Sequence, residues 1–200
     1  MKFSRIIANS GEWLSGDGPN RQIVVSSRVR LARNLSKKPF PGWAKKAERL
    51  EVVKLVKDAV EHLPEMSESY SENLETLSSL EKQVLVERHL ISREHAAKGV
   101  GSAVVMNAPQ SLSVMINEED HLRMQAICCG LQLDKVYEMI NRVDSELEEV
   151  LDFAFDSRLG YLTACPSNVG TGMRASAMLH LPGLVMSDQI NKIINSVNKI

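Results

Sequence analysis

Two arginines stand two residues apart in the segment Ser26-Ser27-Arg28-Val29-Arg30. If this segment is a β-strand, Arg28 and Arg30 project to the same face of the sheet. Adjacent guanidinium groups repel each other, and a polyphosphate would relieve that repulsion by accepting paired, charge-assisted hydrogen bonds. A solvated face of an edge strand explains the two arginines equally simply, and on this feature alone that second interpretation is favoured.

A second segment, Asn117-Glu118-Glu119-Asp120-His121-Leu122-Arg123, is acidic. Its carboxylates would be favourable in the first turn of a helix capped by Asn117, where they face the positive end of the helix dipole. Glu119 and Arg123 would then form an i,i+4 pair. The functional alternative is that one carboxylate holds and deprotonates a cationic nucleophile while Arg123 contacts a phosphate.

A third segment runs Cys165-Pro-Ser-Asn-Val-Gly-Thr-Gly-Met-Arg174. Its two glycines let backbone N–H groups approach an anion closely, and Arg174 adds positive charge. It is not a Walker A motif, since no lysine follows the glycines. Cys165, beside hydroxyls and an arginine, is a candidate for thiolate character. A merely buried cysteine is the usual alternative, and it is the interpretation for Cys128 and Cys129.

The elements that must position these segments follow from hydrophobic periodicity. Alternation predicts a strand over residues 22–33, a hairpin of two strands over 104–106 and 112–116, and a short strand over 161–163. Helical spacing predicts a helix over 43–63 that Pro64 ends, and a weaker one through Leu77, Leu80 and Val84. A further helix is predicted to start at an Asn117 cap, run through Leu122, Ala126 and Ile127, and end at Gly130. A long helix is predicted next, with an apolar stripe of Val136, Ile140, Val143, Leu147 and Val150. A last helix is predicted after a Ser187 cap, with Ile190, Ile193, Ile194 and Val197 on one stripe. These elements predict an α+β fold.

Charge and composition limit the classes of function. With 24 Lys and Arg against 25 Asp and Glu, the net charge of −1 excludes a polybasic coat for nucleic acid or anionic membrane. The 200 residues, 44% of them hydrophobic, predict one folded domain with its own core. No apolar stretch reaches the roughly 20 residues of a membrane helix, and the N-terminus lacks the apolar stretch of a signal peptide. The three cysteines without CxxC spacing predict reduced thiols in a cytoplasmic protein.

Together the segments RVRLAR, NEEDHLR and CPSNVGTGMRAS resemble, in this order, the nucleotide and guanidine motifs of the ATP:guanido phosphotransferases, the family of creatine and arginine kinases. The resemblance covers residues 21–200, and LVERHLIS supplies the family's histidine at His89. It implies a phosphagen kinase catalytic domain, glutamine synthetase-like, with an antiparallel sheet flanked by helices. That domain would lack its C-terminal part, and residues 1–20 would be an N-terminal leader.

The resemblance also implies roles for individual residues. Glu119 is similar to the family's catalytic carboxylate, and Cys165 to the reactive cysteine beside the guanidinium, with Ser167 placed to hydrogen-bond its thiolate. ATP contacts are implied for Ser26, Ser27, Arg28, Val29, Arg30, His89, Arg123, Arg174, Ala175, Ser176, Ala177 and Met178. No protein metal ligands are expected, because Mg²⁺ would be held mainly by ATP oxygens and water.

Small-molecule phosphagen kinases carry a helical domain before the first strand, and this sequence has no such extensive region. The resemblance therefore implies a kinase that transfers the γ-phosphate of ATP to arginine in proteins with exposed arginines. The alternatives are a nucleotide-binding fragment without activity and a kinase of a free guanidino compound. Implied partners are an activator of the McsA type, the Clp protease machinery of protein quality control and a stress-response repressor. No nucleic acid or membrane partner is expected, and a homo-oligomer is left open.

Overall fold

The structure is a computed structural model that describes residues 1–199, and its centre is a six-stranded antiparallel sheet. The order across the sheet is β2-β3-β4-β5-β1-β8. The strands are β1 (Val24–Arg33), β2 (Tyr70–Asn73), β3 (Ala103–Met106), β4 (Leu112–Ile116), β5 (Leu122–Cys129) and β8 (Met173–Leu179). A separate two-stranded ribbon joins β6 (Phe155–Asp156) and β7 (Gly160–Tyr161). The predicted antiparallel α+β architecture is confirmed.

Eight α-helices surround the sheet within the described residues. They are α1 (Phe3–Ala8), α2 (Glu12–Ser15), α3 (Lys46–Glu61), α4 (Ser79–Glu87), α5 (Arg93–Ala96), α6 (Leu133–Glu148), α7 (Pro182–Met186) and α8 (Ile190–Val197). None is long and apolar enough to cross a membrane. A capping box begins α4, where the Ser78 hydroxyl accepts from the Glu81 N–H and the Glu81 carboxylate accepts from the Ser78 N–H.

One face of the sheet is covered by the two long helices. The apolar stripe of α6 packs on inward-facing residues of β1 and β5, among them Val29, Leu31 and Met124, all of which are buried. The apolar stripe of α3 packs on β3 and β4. Burial of this apolar area supplies the main driving force for folding. The opposite face carries a second apolar cluster over β2, β3 and β4, which includes Tyr70, Met106, Met115 and Leu85 of α4. Over β5, β1 and β8 that same face is lined by polar and charged side chains, and the functional site lies there.

The prediction of a helix after Asn117 is wrong. Residues Leu122–Cys129 form β5, which pairs with β4 on one side and β1 on the other. A central strand covered on both faces shows no clean alternation, and a short apolar run of this kind cannot be distinguished from a helix by periodicity alone. Asn117 does not cap a helix; it adopts the left-handed conformation, with φ of 56°, in the turn before β5.

Other elements agree with the sequence in kind but differ at their ends. The first strand, the hairpin, α3 and α6 are confirmed, with α3 beginning at Lys46 rather than Trp43. Helix α8 is confirmed, but Gln189 occupies its N-cap instead of Ser187. Strands β2 and β8 were not predicted, because β2 lies in a polar stretch and the alternate apolar residues of the exposed edge strand β8 include two small alanines, which give only a weak hydrophobic pattern. Residues 1–20 include α1 and α2, whose Ile6 and Trp13 are buried.

Candidate functional site

Four arginines share the polar face of the sheet. In the register of the strands, Arg30 lies opposite Arg174 of β8 and opposite Gln125 of β5, and Arg123 lies opposite Ala32. Residues two apart on a strand project to one side, so Arg28, Arg30, Arg123 and Arg174 all belong to this face. The structure thus brings together the arginines of all three sequence segments.

The arginines are close enough to perturb one another. Burial and then the charges of Arg28, Arg174 and Arg123 lower the pKa of Arg30 to about 10. Burial and the charge of Arg174 lower the pKa of Arg28 as well. The guanidinium groups of Arg28 and Arg30 are still charged at neutral pH, so the face carries concentrated positive charge.

This face fits a polyphosphate. The Nε atom of Arg30 is buried and has no hydrogen-bond partner among the described residues. A cavity of about 50 Å³ opens between Arg30, Arg123 and Arg174, and its lining also includes Gly172 and Asn168. A phosphate oxygen placed there would accept the unused donors and reduce the repulsion among the arginines. No group of three or more His, Cys, Asp or Glu in residues 1–199 is placed to hold a metal ion.

Not all the ATP-binding residues expected from the sequence turn their side chains to this face. Ser27 and Val29 project to the helix side of the sheet, where Val29 belongs to the core. The Ser27 hydroxyl donates to the Gly130 carbonyl at 2.7 Å and accepts from the Gln132 N–H at 2.9 Å. Ala175 lies opposite Val29 on the same helix side. The side chains of Ser27 and Val29 therefore stabilise the fold, and that of Ala175, although exposed, also points away from the arginine face.

A second cavity, of about 230 Å³, adjoins Arg28 at the other end of the arginine row. Ser26, His89, Ser176, Ala177 and Met178 line it together with Ile127. Burial and the charge of Arg28 lower the pKa of His89, so its imidazole is neutral at neutral pH. A flat, neutral ring beside an apolar wall is suited to a nucleoside group.

The acidic segment forms the turn between β4 and β5, at the far end of the arginine row. Arg123 forms ion pairs with two carboxylates, Glu118 and, at 3.3 Å, Glu119. Glu118 is 2% exposed and also accepts a hydrogen bond from the Ser92 hydroxyl, whereas Glu119 is exposed. The buried Glu118 thus fixes Arg123, whereas the exposed Glu119, although it also pairs with Arg123, can be reached by a substrate.

Glu119 lines a cleft of about 440 Å³ that continues the arginine row. Its other lining residues are Phe40, Gly42, Trp43, Glu94, Lys98, Glu118, Arg123 and Ala164. Arg123 lines both this cleft and the small cavity of the arginines, so the two spaces meet at its guanidinium. An acidic and aromatic cleft next to a phosphate site can present a cationic nucleophile to that phosphate.

Cys165 lies beside this cleft on the glycine-rich loop. Its Sγ is 3.0 Å from the Ser167 hydroxyl, and the thiol is partly buried. Asp120 fixes the loop, because its Oδ1 accepts from the Ala164 N–H and from the Asn34 side-chain amide, both at 2.6 Å. Ala164 lines the cleft, so Cys165 is adjacent to a residue of the same space as Glu119.

The sequence did not assign Glu118, Asp120, Phe40 and Trp43 to the site. Glu118 and Asp120 belong to the acidic segment already singled out. Because a helix was wrongly predicted there, the sequence did not show which carboxylates are buried and which one is exposed. Phe40 stacks edge-on against His121 at 6.3 Å, and Trp43 is 89% exposed beside it. An exposed tryptophan is uncommon enough to be a signal, yet only the folded chain shows which cleft it borders.

Comparison with known proteins defines the class. Residues 51–200 match the family model of the ATP:guanido phosphotransferase, C-terminal catalytic domain. The chain belongs to the ATP:guanido phosphotransferase family.

Two solved phosphagen kinases have the same fold. The duplicated taurocyamine kinase from Schistosoma mansoni, solved with bound transition state analog components, superposes with a TM-score of 0.78 at 26% identity. This match covers 88% of the chain and 26% of the kinase. Lombricine kinase superposes with a TM-score of 0.73 at 24% identity over 88% of the chain and 58% of the kinase, a likeness that concerns the fold alone.

Curated relatives within the family are more similar in sequence. The protein-arginine kinase of Halothermothrix orenii is 48% identical over 96% of the chain and 55% of its own length. The protein-arginine kinase of Pelotomaculum thermopropionicum is 46% identical over 94% of the chain and 54% of its own length. The chain therefore spans about half the length of the curated relatives it matches.

Proposed function

We propose that this chain carries the ATP site and the acceptor cleft of a protein arginine kinase of the McsB type, which transfers the γ-phosphate of ATP to an arginine side chain of a protein. The observation that supports the proposal is the junction at Arg123, where a row of arginines meets a cleft lined by Glu119. The names of the relatives, protein-arginine kinases, agree with a protein acceptor.

Glu119 is the proposed catalytic carboxylate. An arginine guanidinium is a poor nucleophile, because its pKa is about 12.5 or higher. Glu119 orients the guanidinium and accepts one of its protons while a nitrogen lone pair forms the N–P bond. The bond from the γ-phosphorus to the ADP oxygen breaks, so the products are phosphoarginine and ADP.

The arginine row holds the triphosphate in line with the acceptor. Arg28, Arg30 and Arg174 bind phosphate oxygens, and Arg123, fixed by Glu118, marks the end nearest the acceptor. Mg²⁺, carried mainly by ATP oxygens and water, would neutralise further phosphate charge. Ser26, His89, Ser176 and Met178 surround the nucleoside end.

Cys165 is proposed to act on the acceptor side. Its thiolate, hydrogen-bonded by the Ser167 hydroxyl, would lie beside the guanidinium and strengthen its binding by charge. The partners proposed are an activator of the McsA type, the Clp protease machinery and a stress-response repressor, all in the cytoplasm.

The test is a search for phosphoarginine. The chain is incubated with ATP, Mg²⁺ and an arginine-rich protein, and the acceptor is analysed by mass spectrometry for acid-labile phosphate on arginine. Glu119→Gln should lose transfer by about 100-fold or more while it still binds ATP, because it keeps its shape and loses its charge. Glu138→Gln, an exposed change on α6, is the matched control and should retain full transfer.

Each other result excludes a part of the proposal. Phosphate found only on serine or threonine would contradict an arginine kinase. Turnover of free arginine without turnover of the protein would favour a small-molecule kinase. ATP binding without any transfer by the wild-type chain would reduce it to a nucleotide-binding module.

A further inference from the structure

His89 faces the nucleotide-side cavity, and its ring is held from behind by the N-terminal segment. The indole of Trp13 lies edge-on to the His89 imidazole, with 5.2 Å between ring centroids and an interplanar angle of 69°. Trp13 is 4% exposed and does not line the cavity itself. The contact is therefore between a buried ring and a ring that a ligand can reach.

The backbone of His89 is fixed in an uncommon conformation. Its φ of 56° is left-handed, which a residue with a side chain adopts only when its surroundings require it. Its N–H donates to the Val86 carbonyl at 2.9 Å, and its carbonyl accepts from the side-chain amide of Gln125, next to the arginine row. These hydrogen bonds fix the position of the His89 backbone, and the contact with the Trp13 ring limits the orientation of the imidazole.

The N-terminal segment is anchored strongly enough to act as this support. The Arg88 guanidinium, one residue before His89, donates to the carbonyls of Ile6 at 2.6 Å and Ile7 at 3.0 Å. It also donates to the Gln110 side chain at 3.0 Å, whose amide donates in turn to Ile6 and Asn9 carbonyls at 3.1 Å. One arginine thus ties the segment to the turn that carries His89.

The far end of the segment is fixed against the sheet. The Leu131 N–H donates to the Pro19 carbonyl at 2.8 Å. At Gly18 an added Cβ would lie 2.2 Å from the Cys129 carbonyl oxygen, so only glycine permits the approach. Trp13 is therefore held between two anchored points.

We propose that Trp13 is a positioning residue of the nucleotide site: it orients the His89 ring toward the base and ribose of the bound nucleotide. Residues 1–20 are then part of that site rather than a leader apart from it. This inference rests on the proposed function only in that the cavity beside Arg28 receives the nucleoside.

The test compares two ligands that share a triphosphate. Mg-ATP and Mg-tripolyphosphate are titrated calorimetrically into the wild-type chain, Trp13→Ala and Trp13→Phe. Trp13→Ala should weaken ATP binding by about 3- to 10-fold, the range expected for one aromatic pair. Tripolyphosphate, which has no base or ribose, should bind the variant as it binds the wild type. Trp13→Phe keeps an aromatic ring and should restore most of the ATP affinity.

Further variants complete the experiment. Ile7→Ala, an exposed change in the same segment, is the control and should bind ATP normally. In the background of His89→Ala, Trp13→Ala should have no additional effect on ATP affinity, because its action passes through that ring. If Trp13→Ala does not fold, Trp13→Leu, which fills part of the volume without a ring, takes its place.

The outcomes separate this inference from the proposed function. Unchanged ATP affinity in Trp13→Ala would overturn the inference and leave the kinase proposal intact. Equal weakening of ATP and tripolyphosphate would also overturn it, since Trp13 would then be merely structural. A wild-type chain that binds neither ligand would contradict the nucleotide site itself.

Discussion

Burial decides the charge state of several side chains, and His95 is the clearest case. Its ring is fully buried, with Nε2 hydrogen-bonded to the Ala103 carbonyl at 2.9 Å and Nδ1 without a hydrogen-bond partner in the part of the chain that the structure describes. Desolvation lowers the pKa of His95 to about 4, against the opposing influence of that hydrogen bond and of Glu118. In the folded protein the His95 imidazole is therefore neutral at neutral pH.

Stability should consequently fall in mild acid. Between pH 6.5 and about 4 the unfolded chain binds a proton at His95 that the folded chain does not, so stability decreases as the pH falls through this window. The loss reaches at most about 3 kcal/mol. Urea unfolding at pH 7 and pH 5 measures it. His95→Gln should flatten the pH dependence and the exposed His180→Gln should not; equal slopes for all three proteins would exclude His95 as the cause.

Single residues also show what the sequence could and could not predict about the site. Arg28 and Arg30 were predicted to share one face, because residues two apart on a strand must do so, and the strand register places them there. Arg174 was linked to the same phosphates only by resemblance, since β8 was not predicted. The same alternation places Ser27 and Val29 on the other face. The burial of Glu118 was not predictable, since it depends on Ser92 and Arg123 in other elements.

At the scale of elements, a turn between β4 and β5 carries the acidic residues that were expected in the first turn of a helix. Asn117 adopts a left-handed conformation, and its side-chain amide donates to the Arg49 and Gly101 carbonyls, both at 2.9 Å. Its own N–H donates to the His121 carbonyl at 2.9 Å. The turn places both carboxylates on Arg123, with Glu118 buried and Glu119 exposed. Asn is favoured at such a turn as at a helix cap, so residue type alone could not separate the two.

Two substitutions at Asn117 separate its two contributions. Asn117→Gly keeps the left-handed backbone but loses both side-chain hydrogen bonds, and should cost about 1–3 kcal/mol of unfolding free energy. Asn117→Ala loses the same bonds and adds about 1 kcal/mol of backbone strain. Denaturant titration of both variants measures the difference. An alanine variant as stable as the glycine variant would contradict the strain at this turn.

The β5 segment shows why element type was harder to predict than element position. The boundaries of the apolar run near Leu122 and Gly130 were recognised, but its neighbours β4 and β1 come from distant parts of the chain. Strand pairing is a nonlocal interaction that no window of sequence contains. By contrast α3 and α6, whose periodicity is local, were predicted within a few residues.

At the scale of the whole molecule, the two faces of the sheet have opposite tasks. One face packs α3 and α6 on an apolar core, and the other gathers arginines over β5, β1 and β8. Gathering like charges on a partly buried surface lowers stability in the absence of an anion. The arrangement of the site therefore lowers the stability of the fold, as is common for binding and catalytic sites.

Arg30→Met should separate these two properties in one protein. The change removes a desolvated charge from the row of arginines, so without nucleotide we expect a gain of up to about 1 kcal/mol, or a rise in Tm of about 2–4 °C for a chain of this size. Mg-ATP at 100 times its Kd should stabilise the wild type by about 2.7 kcal/mol. It should stabilise the variant hardly at all, because one of the side chains proposed to bind phosphate is gone.

Arg158→Met, an exposed change on the β6–β7 ribbon, is the control and should alter neither value. Thermal unfolding with and without Mg-ATP measures both effects, and a variant that is less stable alone yet fully stabilised by ATP would contradict the phosphate role of this face.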